Sequence, residues 1–339
     1  MTDRASLLDK FLNATPWSDA ERAPLAGDAS NRRYLRLVHD HKTAVLMDAP
    51  PESGEDIRPF VAIAQELRDA GLSAPQVLFQ DRENGFLLLE DLGDDLFARV
   101  VKRAPELETL LYESATDVLL SLHAHPIRTD LAAYSPAVMT EMAALSYRWY
   151  LRGHDRPFEE AALKFEAAFR PLLETHASGA DVLIQRDYHA ENLLWLPERD
   201  GVQRVGLLDF QDAMKGHRAY DLVSLLQDAR RDVSPALEQE MLDRYISVSR
   251  QPDDAFRAAY HALGVQRNLR IIGVFARLSM HFGKPHYVDF IPRVWGYLLR
   301  DLAHPALAPV RNLVLDSLPV PTKPNLQTLK DKCGTFPTL

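Results

Sequence analysis

The feature that most constrains this chain is a single stretch in its middle, Val182 to Asp221. It opens on the apolar run Val182-Leu-Ile and enters a polar loop holding Asp187 and Asn192. It leaves through Leu193 to Leu196, turns at Pro197 to Gly201, and returns through Val205 to Leu208 into Asp209. Short apolar runs on either side of a polar turn read as a hairpin. The segment therefore presents two acids and an amide at the ends of short strands, and Asp221 opens the helix that follows.

A lone Asp or Asn in a loop is ordinarily a turn former or a helix cap. Here the D-x-x-x-x-N interval, an apolar strand, a turn, a second strand ending in Asp, and an acid at the next helix start occur in fixed order, and that ordered context argues for chemistry. Phosphoryl transfer asks little covalent help from a protein. It needs a carboxylate near the attacking hydroxyl and oxygen ligands that hold magnesium against the phosphates. Asp187 can serve as the first, Asn192 and Asp209 as the second, provided that all three line one cavity.

The remaining sequence bounds this reading. A chain of 339 residues is long enough for two cores or a two-lobed enzyme. A net charge of −9 argues against a general affinity for nucleic acid or an anionic membrane surface, both of which need a basic face. The single cysteine, Cys333, excludes an intrachain disulfide and a cysteine-rich zinc site. Charges at Asp3, Arg4, Asp9 and Lys10 occupy the place of a signal peptide's apolar core, and no apolar run reaches the ~18 residues needed to span a bilayer. The expected location is the cytoplasm.

Ahead of the central stretch, Leu7, Leu8, Phe11 and Leu12 predict a short amphipathic helix, after which Pro16, Pro24 and Gly27 break the pattern. Strands are expected at 34–38 and 43–47, a helix over 57–70, and a hairpin of 77–80 with 86–90 around Asn84-Gly85. Beyond residue 96 the pattern is helical: a stripe from Leu107 to Leu122, aromatic-rich residues 142–151, then 158–175, 220–232, 235–249 and 253–281. His123 and His125 sit at a helix end, where interaction with free carbonyls is the ordinary role. The proline-rich end of the chain is expected to be loose over its last ~10 residues.

Gln185-Arg-Asp187-x-x-x-x-Asn192 and Asp209-Phe-Gln211 parallel the H-R-D-x-x-x-x-N and D-F-G strings of protein kinases. With Gln185 in place of His, and with Gly216, Tyr220, Asp221 and Leu222 following, the stretch resembles the aminoglycoside phosphotransferase and choline kinase family over about residues 20 to 300. The resemblance implies an α+β, two-lobed protein-kinase-like fold: a small antiparallel-sheet lobe with one main helix at 1–91, and a larger, mostly helical lobe at 92–339. It implies ATP and Mg2+ as cofactors, Asp187 as the catalytic residue, Asn192 and Asp209 as metal ligands, and Asp221 as a brace for the catalytic loop. Nucleotide contacts fall on Gly27, Asp28, Ser30, Asn31 and Arg32, and on Glu90 and Leu92 where the lobes join. Where the family carries a phosphate-binding lysine, this chain reads Ala44-Val-Leu-Met47-Asp48, which leaves Arg32, Arg33 or Lys42 to supply the counter-charge. Without that lysine, Glu66 reads as part of a solvated helix face.

Within the family, Gly27 to Tyr34, Met47-Asp-Ala-Pro-Pro51, Gln185 to Trp195 and Leu208 to Ala213 look most like the anomeric amino-sugar kinases of cell-wall recycling. This implies a small amino sugar as partner, N-acetylmuramate or N-acetylglucosamine phosphorylated on the C1 hydroxyl, and makes the absent lysine a trait of the subgroup. Glu141 and Trp149 are candidates to face the sugar, by hydroxyl binding and ring stacking. Arg267, Arg270 or Arg148 could meet a lactyl carboxylate. Two alternatives stay open: another small hydroxylated acceptor, aminoglycoside-like or choline-like, and a silent kinase-like module that binds nucleotide only.

Overall fold

The computed structural model describes residues 3–25, 31–128 and 130–337. The chain divides into two compact units, Met1–His125 with Ala190–Ala213, and Pro126–His189 with Met214–Leu339.

The first unit is built on a five-stranded antiparallel sheet: β1 (Glu21–Leu25), β2 (Arg33–His39), β3 (Lys42–Asp48), β4 (Val77–Asp81) and β5 (Phe86–Glu90), in the order β1-β2-β3-β5-β4. The two-residue alternation of β3 splits its side chains between faces. Ala44 and Leu46 join Leu37, Phe86 and Leu88 in a core closed by Leu8, Phe11 and Leu12 of helix α1 (Arg4–Asn13). Val45 and Met47 belong to the opposite face. Strand β1 runs through Pro24, which sequence reasoning takes as a break; it is an edge strand, where a residue without an N–H is tolerated.

Helix α2 (Arg58–Asp69) buries Phe60, Ile63, Ala64 and Leu67, spaced to share one face. It ends on Gly71 at φ 77°, with the Leu72 amide donating back to the Leu67 carbonyl, a stop that glycine makes without strain. After α3 (Phe97–Arg103), helix α4 (Glu108–Ala124) buries Leu111, Ala115, Val118, Leu119 and Leu122 and packs against the 201–204 turn. That turn belongs to the hairpin Leu193–Trp195 with Val205–Leu207, as the sequence pattern predicts.

The second unit is mostly helical, organised on the long helix Asp253–Met280. This helix carries Gly273 where a Cβ would collide with the backbone of Leu145, so glycine there lets it approach the π-helical turn Ser146–Leu151. A two-stranded ladder pairs Val182–Ile184 with Met214–Gly216; the latter, a three-residue strand centred on Lys215, has no apolar signature to announce it. The helix expected over 220–232 stops at Leu226, because Asp228 accepts from the Arg230 amide and so closes a turn that competes with further helix. The end of the chain is less loose than expected. Helix Lys323–Asp331 is capped by the Thr322 hydroxyl and buries Leu329, and the Phe336 carbonyl bonds the His281 ring.

Candidate active site

In the second unit, the Val182–Ile184 strand runs straight into the loop carrying Asp187. The loop's backbone is fixed by Asp221, fully buried at the start of helix Tyr220–Leu226, whose carboxylate oxygens accept from the amides of Gln185 at 2.6 Å and Arg186 at 2.9 Å. Arg186 holds φ at 73°, a left-handed conformation that a side-chain-bearing residue adopts at a cost. Burial pushes the Asp221 carboxyl up to about 7, against the two amides and Arg267, which favour its charge.

Asp187 behaves differently. Burial alone would raise its carboxyl, but the neighbouring cations, Arg270 first and then Arg267 with Arg186, outweigh burial and hold it below the ordinary carboxylate range. It is therefore ionised at neutral pH. Arg267, 3% exposed, donates to the Arg186 carbonyl at 3.4 Å, and the Arg186 guanidinium lies over the Tyr134 ring. Arg270 is partly buried, and the cost of that burial is offset by Tyr220, Tyr134 and Asp187, which favour its charge. His189 receives a hydrogen bond from Arg230 on Nε2 at 3.3 Å, which requires that nitrogen to be unprotonated; burial drives the ring's pKa down to about 4.

In the first unit, the hairpin brings Asn192 and Asp209 together, with the Asn192 amide 3.4 Å from Asp209 Oδ2, and the Leu208 amide donating to the Asn192 carbonyl. Gln211 donates to Asp209 Oδ1 at 2.7 Å. Asp209 sits at φ 55°, and the fully buried Phe210 beside it packs its ring 4.9 Å from that of Phe60 on α2. One carboxylate and one carboxamide form a hard-oxygen pair, and the described residues contain no group of three or more His, Cys, Asp or Glu side chains suited to a metal. Such a pair fits magnesium, which keeps waters and phosphate oxygens for most of its shell.

The remaining predicted positions fall as follows. Gly27, Asp28 and Ser30 lie outside the described residues. Asn31 is tied to the 53–55 segment through the Ser53 carbonyl and Glu55, and Arg32 pairs with Glu55 at 3.1 Å. Glu90 pairs with Arg199 at 2.6 Å, and its amide donates to the Gln76 carbonyl. Leu92 is buried, and among the described residues neither its amide nor its carbonyl has a backbone partner. Glu141 is exposed on helix Pro136–Ala143. Trp149 is 3% exposed, beside the His281 ring.

Sequence reasoning passed over one cation in this unit. Arg36 of β2 stands opposite Val45, which in turn pairs with Leu89, so it belongs to the Met47 face of the sheet. It is held by Asp91 at 2.7 Å and Asp94 at 2.6 Å in the segment after β5. Only strand register reveals this.

The sheet-bearing unit and the helical unit define an α+β fold of the two-lobed protein-kinase-like class. Residues 21–260 match the phosphotransferase enzyme family, and the chain belongs to that family. It is 41% identical to the N-acetylmuramate/N-acetylglucosamine kinase of Caulobacter vibrioides, over 95% of this chain and 99% of the relative. It is 36% identical to the enzyme of the same name from Pseudomonas aeruginosa, over 93% of this chain and 94% of that one. Among solved structures it resembles the choline kinase LicA from Streptococcus pneumoniae, with a TM-score of 0.61 at 13% identity, covering 87% of this chain and 99% of that one. Among the described residues no helix is long and apolar enough to cross a membrane.

Proposed function

We propose that this chain is an ATP-dependent kinase that phosphorylates the C1 hydroxyl of N-acetylmuramate and N-acetylglucosamine. The acceptor is supported by near-full-length similarity to relatives of that name. The chemistry is supported by Asp187, a partly buried carboxylate kept ionised by surrounding arginines on a loop whose backbone is pinned by Asp221. An anomeric hydroxyl is more acidic than an ordinary alcohol, so Asp187 need only accept its proton late in the transfer.

Asn192 and Asp209 offer the oxygens that would hold magnesium, and a magnesium ion bound there would draw charge from the phosphates. The nucleotide is assigned to residues 1–91 and the segment that follows, where the unpartnered backbone of Leu92 can pair with the adenine edge and Arg32 can meet the phosphates. Residues 92–339 then carry the catalytic groups and the sugar site. The reading places the enzyme in the cytoplasm, where ATP is supplied.

Phosphorus NMR of a reaction containing Mg-ATP and either sugar tests this directly. A sugar 1-phosphate is expected. Product at C6, or no transfer to either sugar, would sink the assignment.

A further inference from the structure

The two sugars differ in one group: N-acetylmuramate carries a lactyl ether on C3 that ends in a carboxylate, and N-acetylglucosamine has a plain hydroxyl there. A kinase that accepts both must place an anion in one case and leave its room empty in the other. An arginine already locked to a carboxylate is a poor reader of that anion, because its partner must first be displaced.

The arginines singled out from sequence, Arg148, Arg267 and Arg270, each already have a partner, and Arg148 alone is locked to a carboxylate outside the catalytic loop. Arg148 is paired with Glu166 at 2.7 Å, and Arg267 donates to the Arg186 carbonyl beneath Asp187. Arg270 lies among Tyr134, Tyr220 and Asp187, where its charge serves the reacting carboxylate. Arg152 lies over the Phe158 and Phe336 rings.

Arg277 is different. It follows Arg270 by seven residues on the long helix, two turns further along nearly the same face and ~10 Å along the axis. It is half-buried, its Nε is fully enclosed without a hydrogen-bond partner, and among the described residues it makes no ion pair. Burial and the charge of Arg270 both bear against its protonated form, and no acid offsets them. A half-buried guanidinium without a counter-ion leaves its desolvation uncompensated, which marks a place where an anion is missing. The charge of Arg270 acts on both Arg277 and Asp187.

We propose that Arg277 is the specificity-determining residue that binds the lactyl carboxylate of N-acetylmuramate while Asp187 addresses the C1 hydroxyl of the same ring. The inference rests on the amino-sugar kinase reading above. C1 and C3 flank the same ring carbon, so a sugar whose C1 hydroxyl meets Asp187 can turn its C3 substituent along the helix toward Arg277. The forked guanidinium suits a carboxylate held by two parallel hydrogen bonds. N-acetylglucosamine, with no anion, gains nothing from it.

The experiment measures kcat/KM for both sugars with saturating Mg-ATP in the wild type, Arg277→Gln and Arg277→Lys. In Arg277→Gln the ratio of N-acetylmuramate to N-acetylglucosamine falls by about ten- to a hundredfold, the range for a lost hydrogen bond to a charged group, and the change lies mainly in KM. Arg277→Lys keeps the charge without the fork and recovers part of the ratio; should the glutamine variant fail to fold, a reduced ratio in the lysine variant carries the test. Calorimetric titration of the two sugars must show the same selective loss for N-acetylmuramate. An unchanged ratio in variants that turn over both sugars overturns the role of Arg277 and leaves the kinase reading standing. Absence of turnover of either sugar by the wild type overturns both.

Discussion

The Phe60–Phe210 contact offers the sharpest test of how Asp209, the proposed magnesium ligand, is held. Asp209 adopts φ 55°, a conformation that costs a residue with a side chain about 1–2 kcal/mol, so something adjacent must hold it there. The candidate is Phe210, fully buried, with its ring 4.9 Å from that of Phe60 on α2. Truncating a buried Phe to Ala removes the transfer free energy and leaves a cavity, about 3–5 kcal/mol for each residue singly. Part of that is shared between the rings, and an aromatic pair contributes about 0.5–1.5 kcal/mol beyond buried area. In a double-mutant cycle of Phe60→Ala, Phe210→Ala and the pair, followed by urea unfolding, the double variant is therefore less destabilised than the sum of the singles by about 1 kcal/mol. Function should follow the same coupling. Each single variant raises the apparent KM for Mg-ATP by several-fold more than that for the sugar, because the proposed function gives the released carboxylate to the magnesium that accompanies the nucleotide. Additivity within ~0.3 kcal/mol would show that the rings do not act together. A rise confined to the sugar KM would show that Phe210 does not position Asp209.

Two further outcomes are expected. Asp187→Asn keeps shape but removes the proton acceptor, so turnover falls by about 100-fold or more while ATP affinity, read by calorimetry, stays within a few fold; an equal loss of ATP binding would reassign Asp187 to a structural role. His189 gives a pH dependence whose sign is fixed by its burial. Its folded pKa of about 4 lies below the unfolded value, so between these values the unfolded chain binds the extra proton and stability is lost as pH falls. From pH 7 to 5 this contribution is about 2 kcal/mol, and His189→Gln, which keeps an acceptor for Arg230, should remove it from the urea midpoints; a variant with the same pH slope as the wild type would refute the assignment.

The parts of the site that were legible in the sequence are those encoded locally. Asp187, Asn192, Asp209 and Asp221 belong to one stretch, so their order and their positions at strand ends and a helix start can be read locally. Most strands of the sheet were legible too, because β2, β3 and β5 carry their own apolar runs. What escaped depends on partners distant in sequence. Pro24 breaks a strand pattern unless the strand is an edge. Met214–Gly216 is a strand only because Val182–Ile184 pairs with it. Arg36 reaches the Met47 face through register, and Arg148 is paired because Glu166, eighteen residues on, faces it, a partner Arg277 lacks among the described residues.

The two halves of the catalytic stretch share one construction. Each carries a left-handed residue that is not glycine, Arg186 immediately before Asp187 and Asp209 itself. Each strained point is secured by a buried anchor supplied from elsewhere: the Asp221 carboxylate on two consecutive amides in one unit, and the Phe60 ring on Phe210 in the other. Strain of this kind persists only where surrounding structure over-determines it. An anchor of buried hydrogen bonds or buried rings contributes more than the ~1–2 kcal/mol that a left-handed residue costs. The same residues would relax in an isolated loop. The acids proposed for catalysis can therefore be held in directions that their own backbone would not choose, which gives Asp221 and Phe210 positioning roles in the proposed chemistry.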